Sequence, residues 1–329
     1  MNIAHIALVR LSALGDIVNA VIVLQFIRER YPEVKIDWIC EEVFAPLLDT
    51  HPLINAVHTV NLKKIKKERS FSQLKETYKK LRSLPKYDMI IDMQGLLKSA
   101  LVARIVGKNI YGYDKSSARE GVASFFYAHT YTIDYALSVI KRNTALISQA
   151  MEFEITDAMI ENKEKVLPSY DRPAFTCKEE YAVFVIGASW KSKIYPKEKV
   201  AEVCKELPYK VFIAWGSDAE KSDADYVAKH TDNAETTPRL DLKELCALIE
   251  HSSLVIGNDT GPTHMAWGYN IPSITLFGPT NERMIYPTKT NVAIHSPSHV
   301  DITKIDRNDF SIREIDPVMI VNKAKELLV

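Results

Sequence analysis

Short apolar runs alternate with longer stretches of helical period along most of this chain. Residues 3–9 predict a buried strand. An amphipathic helix over 17–30 follows, with Val18, Val21, Ile22, Leu24 and Ile27 at its apolar positions. Strands are then expected over 34–39 and 56–60, with a short helix over 43–48 between them. A helix over 71–84 stops at Pro85 and leads into a strongly apolar strand over 87–92. Helices over 96–106 and 135–153 flank a further strand at 109–113. Across 161–178 the period is lost, charges accumulate and Pro168 and Pro173 appear, so the interdomain linker belongs here. The alternation then restarts, with strands at 181–186, 210–215, 253–256, 273–277 and 292–295. Helices over 197–206, 218–230, 242–251, 262–269 and 317–328 accompany them.

Strand and helix in strict alternation predict an α/β protein whose parallel sheets carry helices on both faces. A chain of 329 residues is long for one core. Two Rossmann-like domains facing one another across a cleft are therefore expected, over 1–165 and 175–313, with a C-terminal segment at 314–329. Ligands of such open sheets bind beyond the carboxyl ends of the strands. The loops that follow strands are where chemistry is to be sought.

Composition narrows the classes. The chain is 47% hydrophobic and 26% charged, as in soluble globular proteins. Its 42 basic and 42 acidic residues balance, which argues against a nucleic-acid partner. Cys40, Cys177, Cys204 and Cys246 have no metal-ligand spacing and read as reduced thiols of a cytoplasmic protein. The start, Met1-Asn2-Ile3-Ala4-His5-Ile6, runs into a strand without the charged opening of a signal peptide. No apolar run has the length of a bilayer span.

The loop with most chemistry is Asp259-Thr260-Gly261-Pro262-Thr263-His264, between an apolar strand and a helix. Free N–H groups and the helix dipole make such a junction an anion site. Asp259 would repel a phosphate and so faces hydroxyls, whereas His264, about one turn in, reaches the anion. Simple helix capping by Asp259 and Thr260 is the plainer alternative. Asp16, in Arg10-Leu11-Ser12-Ala13-Leu14-Gly15-Asp16, is either a first-turn acid favoured by the dipole or a general base. Gln94 and Lys98 bring donors and a positive charge to the rim after the 87–92 strand. Arg119 adds a guanidinium able to grip an anion with two bonds.

The run Asn61 to Arg69 holds five cations, among them Lys63 and Lys64. It suits a solvated, mobile segment, an anionic glycolipid or an acidic bilayer. In the second half, Ser189 and Lys193 suit a diphosphate, and Glu220 suits ribose hydroxyls. Ordinary polar loops before helices would look much the same.

Taken together, these loops make the chain resemble the bacterial heptosyltransferases of lipopolysaccharide core assembly, glycosyltransferase family nine. The likeness runs the whole length. It is most specific at Leu8 to Asp16, Asp92 to Ser99, Ser117 to Glu120, Asp259-Thr260-Gly261 with His264, and Phe277-Gly278-Pro279-Thr280. The first two look like the branch that adds the first heptose. The resemblance implies a GT-B fold, with an acceptor domain first, a donor domain second and a last helix packing back toward the first. It implies inverting, metal-independent transfer of L-glycero-D-manno-heptose from ADP-heptose to the inner Kdo of Kdo2-lipid A. By motif, Asp16 is the base and Lys193 meets the diphosphate, with Ser189 where the family often has threonine. Glu220 meets the ribose, Leu240 packs on the adenine, and Asp259 meets heptose hydroxyls. Thr260, Gly261 and His264 hold the diphosphate. On the acceptor side stand Ser12, Gly15, Gln94 and Lys98, with Lys63, Lys64 and Arg119 as cations. Asp223-Ala224-Asp225 has the spacing of a metal motif but falls within a helix.

The expected enzyme is a monomer, cytoplasmic and peripheral on the inner membrane. Another heptosyltransferase of the same pathway, a GT-B nucleotide-sugar epimerase and a non-catalytic nucleotide-sugar-binding protein are the competing readings.

Overall fold

A computed structural model describes residues 3–297, 300 and 305–328. Met1, Asn2 and Val329, placed above in the first strand's approach and the C-terminal segment, lie outside the described residues. The chain divides into two units, Met1–Pro168 and Ser169–Val329.

In the first unit the elements run β1 (His5–Val9), α1 (Leu14–Val21), α2 (Val23–Arg30), β2 (Lys35–Glu41) and β3 (Ala56–Val60). They continue with α3 (Leu62–Glu68), α4 (Phe71–Arg82), β4 (Met89–Asp92), α5 (Leu97–Val106), β5 (Ile110–Tyr113), β6 (His129–Tyr131), α6 (Val139–Met151) and α7 (Asp157–Glu161). All strands pair in parallel in the order β3-β2-β1-β4-β5-β6. β1 and β4 are buried from Ile6 to Val9 and from Met89 to Asp92, as expected of central parallel strands covered on both faces. The single helix expected over 17–30 begins earlier, at Leu14, and is interrupted at Ile22. The basic run is not a loose segment but helix α3. Asn61 starts it by accepting from the Lys64 N–H at 3.1 Å, and it buries no residue.

The second unit holds β7 (Tyr181–Val185), α8 (Lys197–Glu206), β8 (Lys210–Ala214), α9 (Asp218–Lys229), β9 (Ala234–Thr236) and α10 (Leu242–Glu250). Then come β10 (Leu254–Asn258), α11 (Gly261–Gly268), β11 (Ser273–Phe277), β12 (Asn291–His295) and α12 (Pro317–Leu327). Its sheet is also parallel, in the order β12-β11-β10-β7-β8-β9. Val200, Val203 and Cys204 of α8 share one apolar cluster with Ile320, Val321 and Ala324 of α12. The final helix packs on α8 and β11 of this unit. Tyr195 adds a tie by donating its hydroxyl to the Ile315 carbonyl at 2.9 Å.

In each sheet the strand order reverses direction at a central pair, β1 beside β4 and β7 beside β10. Chain crossovers leave on opposite faces there and open a crevice at the strand ends. The loops after β1, β4, β7 and β10 are the ones that carry the candidate residues.

Candidate active site

In the first unit, the loop after β1 and the turn after β4 are joined by a polar network. Asp16 Oδ1 accepts from the Arg10 guanidinium at 2.7 Å, and Oδ2 accepts from the Ala13 N–H at 3.1 Å. Arg10 also donates to the Met93 carbonyl, which locks it between the two loops. The Asp16 side chain stays 24% exposed, so its remaining lone pairs reach solvent. Ser12 Oγ accepts from Lys98 Nζ at 2.8 Å and from Gln94 Nε2 at 3.3 Å, while Gln94 Oε1 takes the Leu11 N–H at 2.8 Å. Ser12, Asp16, Gln94 and Lys98 are therefore one constellation. Gly15 is buried in the first turn of α1.

Asp92 builds the turn that presents Gln94. Fully buried, its carboxylate accepts from the Gln94 and Gly95 N–H groups, the Ser99 hydroxyl and the Tyr127 hydroxyl. Burial raises its pKa, and these four donors hold against that rise. Gly95 sits at φ +66°, in the left-handed region that a side chain disfavours, with the Tyr113 ring at 3.2 Å from where a Cβ would lie.

Burial lowers the Lys98 pKa, opposed by the nearby Glu41 carboxylate. Glu41, in turn raised by burial, feels Lys98 and Lys63. Glu41 was not anticipated as a member of this group, because a lone acid at a strand end has no sequence signature. Lys63 and Lys64 project from α3 as exposed cations. Arg119 is exposed and forms no hydrogen bond among the described residues, so the structure does not join it to the network.

In the second unit the centre is Asp259, only 3% exposed. Lys193 Nζ donates to its Oδ2 at 2.6 Å, the Thr280 hydroxyl to the same oxygen at 2.8 Å, and His264 Nε2 meets Oδ1 at 3.0 Å. Burial alone would raise the Asp259 pKa. The Lys193 charge and the His264 contact outweigh it and hold the carboxyl well below the usual range. The Lys193 side chain is itself 9% exposed. Asp259 is thus occupied by protein donors, and sugar hydroxyls would compete with them.

Asn258, at the end of β10, fixes the neighbouring loop. Its amide donates to the Ile186 carbonyl at 2.9 Å and accepts the Tyr195 N–H at 3.0 Å, while Thr263 Oγ1 caps its own carbonyl at 2.8 Å. Thr280 and Asn258 are positioning residues not expected as site members, although Thr280 closes the Phe277-Gly278-Pro279-Thr280 motif.

Three polar atoms here are buried without a hydrogen-bond partner among the described residues: His264 Nδ1, Ser192 Oγ and Trp190 Nε1. Buried polar atoms are nearly always satisfied, so a cluster left open points to a polar ligand. The start of α11 is equally open, since Thr260 gives no side-chain cap. Trp190 is faced by Arg307, whose Cζ lies 4.3 Å from the ring centroid, and by Lys193 Nζ at 5.5 Å.

Glu220 Oε2 accepts from the Gly216 and Ser217 N–H groups at 2.7 and 3.2 Å, closing a capping box with Ser217. It also lies against Gly187, where a Cβ would come within 2.5 Å of its carboxyl carbon, so only glycine leaves room for it. Ser189 is exposed, and Leu240, half-buried, precedes the Asp241 cap of α10. Asp223 and Asp225 lie within α9 and pair with Lys197 and Lys221. No group of three or more metal-binding side chains occurs among the described residues.

The model of glycosyltransferase family 9 (heptosyltransferase) matches residues 76–309. Lipopolysaccharide heptosyltransferase 1 of Campylobacter coli is 36% identical, over 98% of this chain and 98% of that protein. The Pseudomonas aeruginosa protein of the same name is 32% identical, over 84% of this chain and 79% of its own length. Among solved structures, the E. coli heptosyltransferase WaaC with ADP-2-deoxy-2-fluoro heptose superposes with a TM-score of 0.81 at 23% identity, covering 98% and 99% of the two chains. That likeness shows the GT-B fold class, to which the two parallel six-stranded sheets correspond. This chain belongs to glycosyltransferase family 9, the heptosyltransferases.

Proposed function

We propose that this glycosyltransferase moves L-glycero-D-manno-heptose from ADP-heptose to the inner Kdo of Kdo2-lipid A, inverting the anomeric centre and using no metal. The observation that carries the donor side is the open, buried polar cluster around Asp259 at the uncapped start of α11. The names of the relatives support the pathway, and the adenine nucleotide sugar held by the WaaC structure supports the donor.

In this mechanism the acceptor hydroxyl oxygen attacks the anomeric carbon while the bond from that carbon to the diphosphate breaks. The electron pair leaves with ADP, and the hydroxyl proton passes to Asp16. Lys193 and the α11 N–H groups meet the charge that grows on the departing diphosphate, and His264 adds a donor at Nδ1 when its ring carries both protons. Lys193 reaches the diphosphate by exchanging part of its contact with Asp259, which then turns to the heptose hydroxyls. Ser189 adds a hydroxyl donor, Glu220 holds the ribose, and Leu240 packs on the adenine. Ser12, Gln94 and Lys98 orient the Kdo carboxylate and hydroxyls, with Lys63, Lys64 and Arg119 receiving the acidic glycolipid. No helix among the described residues is long and apolar enough to cross a membrane. In this reading the enzyme works as a monomer peripheral to the cytoplasmic face of the inner membrane, where its anchored acceptor lies.

Incubation with ADP-heptose and Kdo2-lipid A should add the mass of one heptosyl residue to the lipid and release ADP. Absence of product with every nucleotide-heptose supplied would refute the assignment. Charge reversal at Lys63 and Lys64 should raise the acceptor KM by about tenfold and leave the donor KM nearly unchanged, as expected of exposed cations steering an anion. High salt should mimic the variant. Equal effects on both KM values would remove these lysines from the acceptor side.

A further inference from the structure

Among the described residues twelve large apolar side chains are exposed. Seven of them, Phe71, Leu74, Tyr78, Leu97, Leu101, Val122 and Phe125, belong to α4, α5 and the 3-10 turn Gly121–Phe126. These three elements are neighbours, because α5 packs against both α4 and the turn. The Leu97 N–H also donates to Glu120 Oε2 at 2.7 Å, tying the start of α5 to the start of the turn.

On α4 the spacing is i, i+3, i+7, which at about 100° per residue gathers Phe71, Leu74 and Tyr78 within about 60° of arc. Leu81, the buried residue of this helix, falls about 20° from Leu74 on the same wheel, so the stripe borders the core-facing side and is set apart from it by its exposure. Phe71 is 78% and Phe125 75% exposed, far more than a packing side chain tolerates. Leu97 and Leu101, four apart on α5, and Val122 and Phe125, three apart in the turn, repeat the pattern.

Cations rim this apolar face. Exposed Lys75 and Lys79 lie on α4, and α3, which packs on α4, carries exposed Lys63, Lys64, Lys66 and Lys67 with Arg69 just beyond. Against them α3 and α4 hold the acids Glu68 and Glu76. A helix that buries nothing and is mostly lysine has no role in this unit's core. An apolar face with a basic border is the pattern of surfaces that lie in the headgroup region of acidic bilayers.

We propose that α3, α4, α5 and the 3-10 turn form a docking face for an anionic lipid bilayer. Phe71, Tyr78 and Phe125 enter the boundary between headgroups and acyl chains, and the α3 lysines meet the anionic headgroups. Charge complementarity selects this occupant. A two-fold contact with a second copy would bring two like-charged faces together. Leu97 directly precedes Lys98, so the face borders the acceptor-side network. That purpose rests on the proposed function, whereas binding itself does not.

The test uses the full chain and vesicles of phosphatidylcholine, alone or mixed with phosphatidylglycerol, without acceptor. The wild type should sediment with the mixed vesicles and be released by high salt. Phe71→Ser/Phe125→Ser and Lys66→Glu/Lys67→Glu should each weaken partitioning by about tenfold or more. Both variants should melt as the wild type does and turn over detergent-dispersed acceptor at the same rate. Failure of the wild type to bind anionic vesicles, or undiminished binding by both variants, overturns the proposal. So does a wild-type dimer that Phe71→Ser/Phe125→Ser dissociates. Vesicle binding without any heptose transfer leaves the docking face standing and removes the proposed function instead.

Discussion

Asp16→Asn should lower kcat by about two to four orders of magnitude, the range of a general base, and leave ADP affinity unchanged in calorimetry. The substitution is chosen because it separates the two roles open to this residue. Asparagine keeps the size and shape of the side chain but has one oxygen for these two donors, so it accepts from either the Ala13 N–H or Arg10 and not from both as the carboxylate does. If Asp16 serves only to cap α1 and hold Arg10, the variant loses one hydrogen bond and the charge of a partly buried ion pair, a loss of stability rather than of chemistry. Activity would then survive, and the melting temperature would fall. If Asp16 removes the acceptor proton, the amide has no basic lone pair for it and turnover collapses while the fold persists. A variant that keeps turnover within a few-fold of wild type sinks the base assignment. Loss of donor binding would move Asp16 to the donor site.

Much of this layout was legible in the sequence because both sheets are central and parallel. Runs such as Ile6 to Val9 and Leu254 to Ile256 are apolar throughout, and strand ends mark where ligands bind. The edges were harder. β6 and β9 have three residues each with little burial, so neither apolar run nor alternation announces them. Helix α3 was hidden by its own charge, because a helix that buries nothing has no apolar period to read.

The site was legible in part for the same kind of reason. Lys193 and His264 stand in loops that follow strands or open helices, so position alone nominated them. Thr280 reaches Asp259 from 21 residues further on, and Glu41 reaches Lys98 from a different strand. Only the fold reveals such contacts. Tertiary packing also altered the expected picture of Asp259, by placing Lys193 on the carboxylate rather than leaving it free for a ligand.

That pairing sets the second large effect. Asp259→Ala should destabilise the second unit by about 3–5 kcal/mol, because it leaves the Lys193 ammonium buried with no counter-ion. Thermal unfolding at neutral pH should show an early transition, and ADP binding should weaken with it. Lys193→Met should cost less stability, since Asp259 retains Thr280 and His264, yet it should weaken ADP binding if Lys193 meets the diphosphate. Unchanged ADP affinity in Lys193→Met would reject that role even if stability followed expectation. The double variant Lys193→Met/Asp259→Leu should recover stability relative to Asp259→Ala, because neither charge then remains buried alone. pH gives an independent check of sign. The folded Asp259 pKa lies below its ordinary value of 3.8, so the ionised group contributes stability that is complete above that value. The contribution is lost as pH falls through the folded pKa, where the carboxyl protonates in both states. The stability gap between wild type and Asp259→Asn should therefore be widest near neutrality and narrow under acid. A gap that stays constant from neutral to strongly acidic pH would show that Asp259 acts through packing rather than charge.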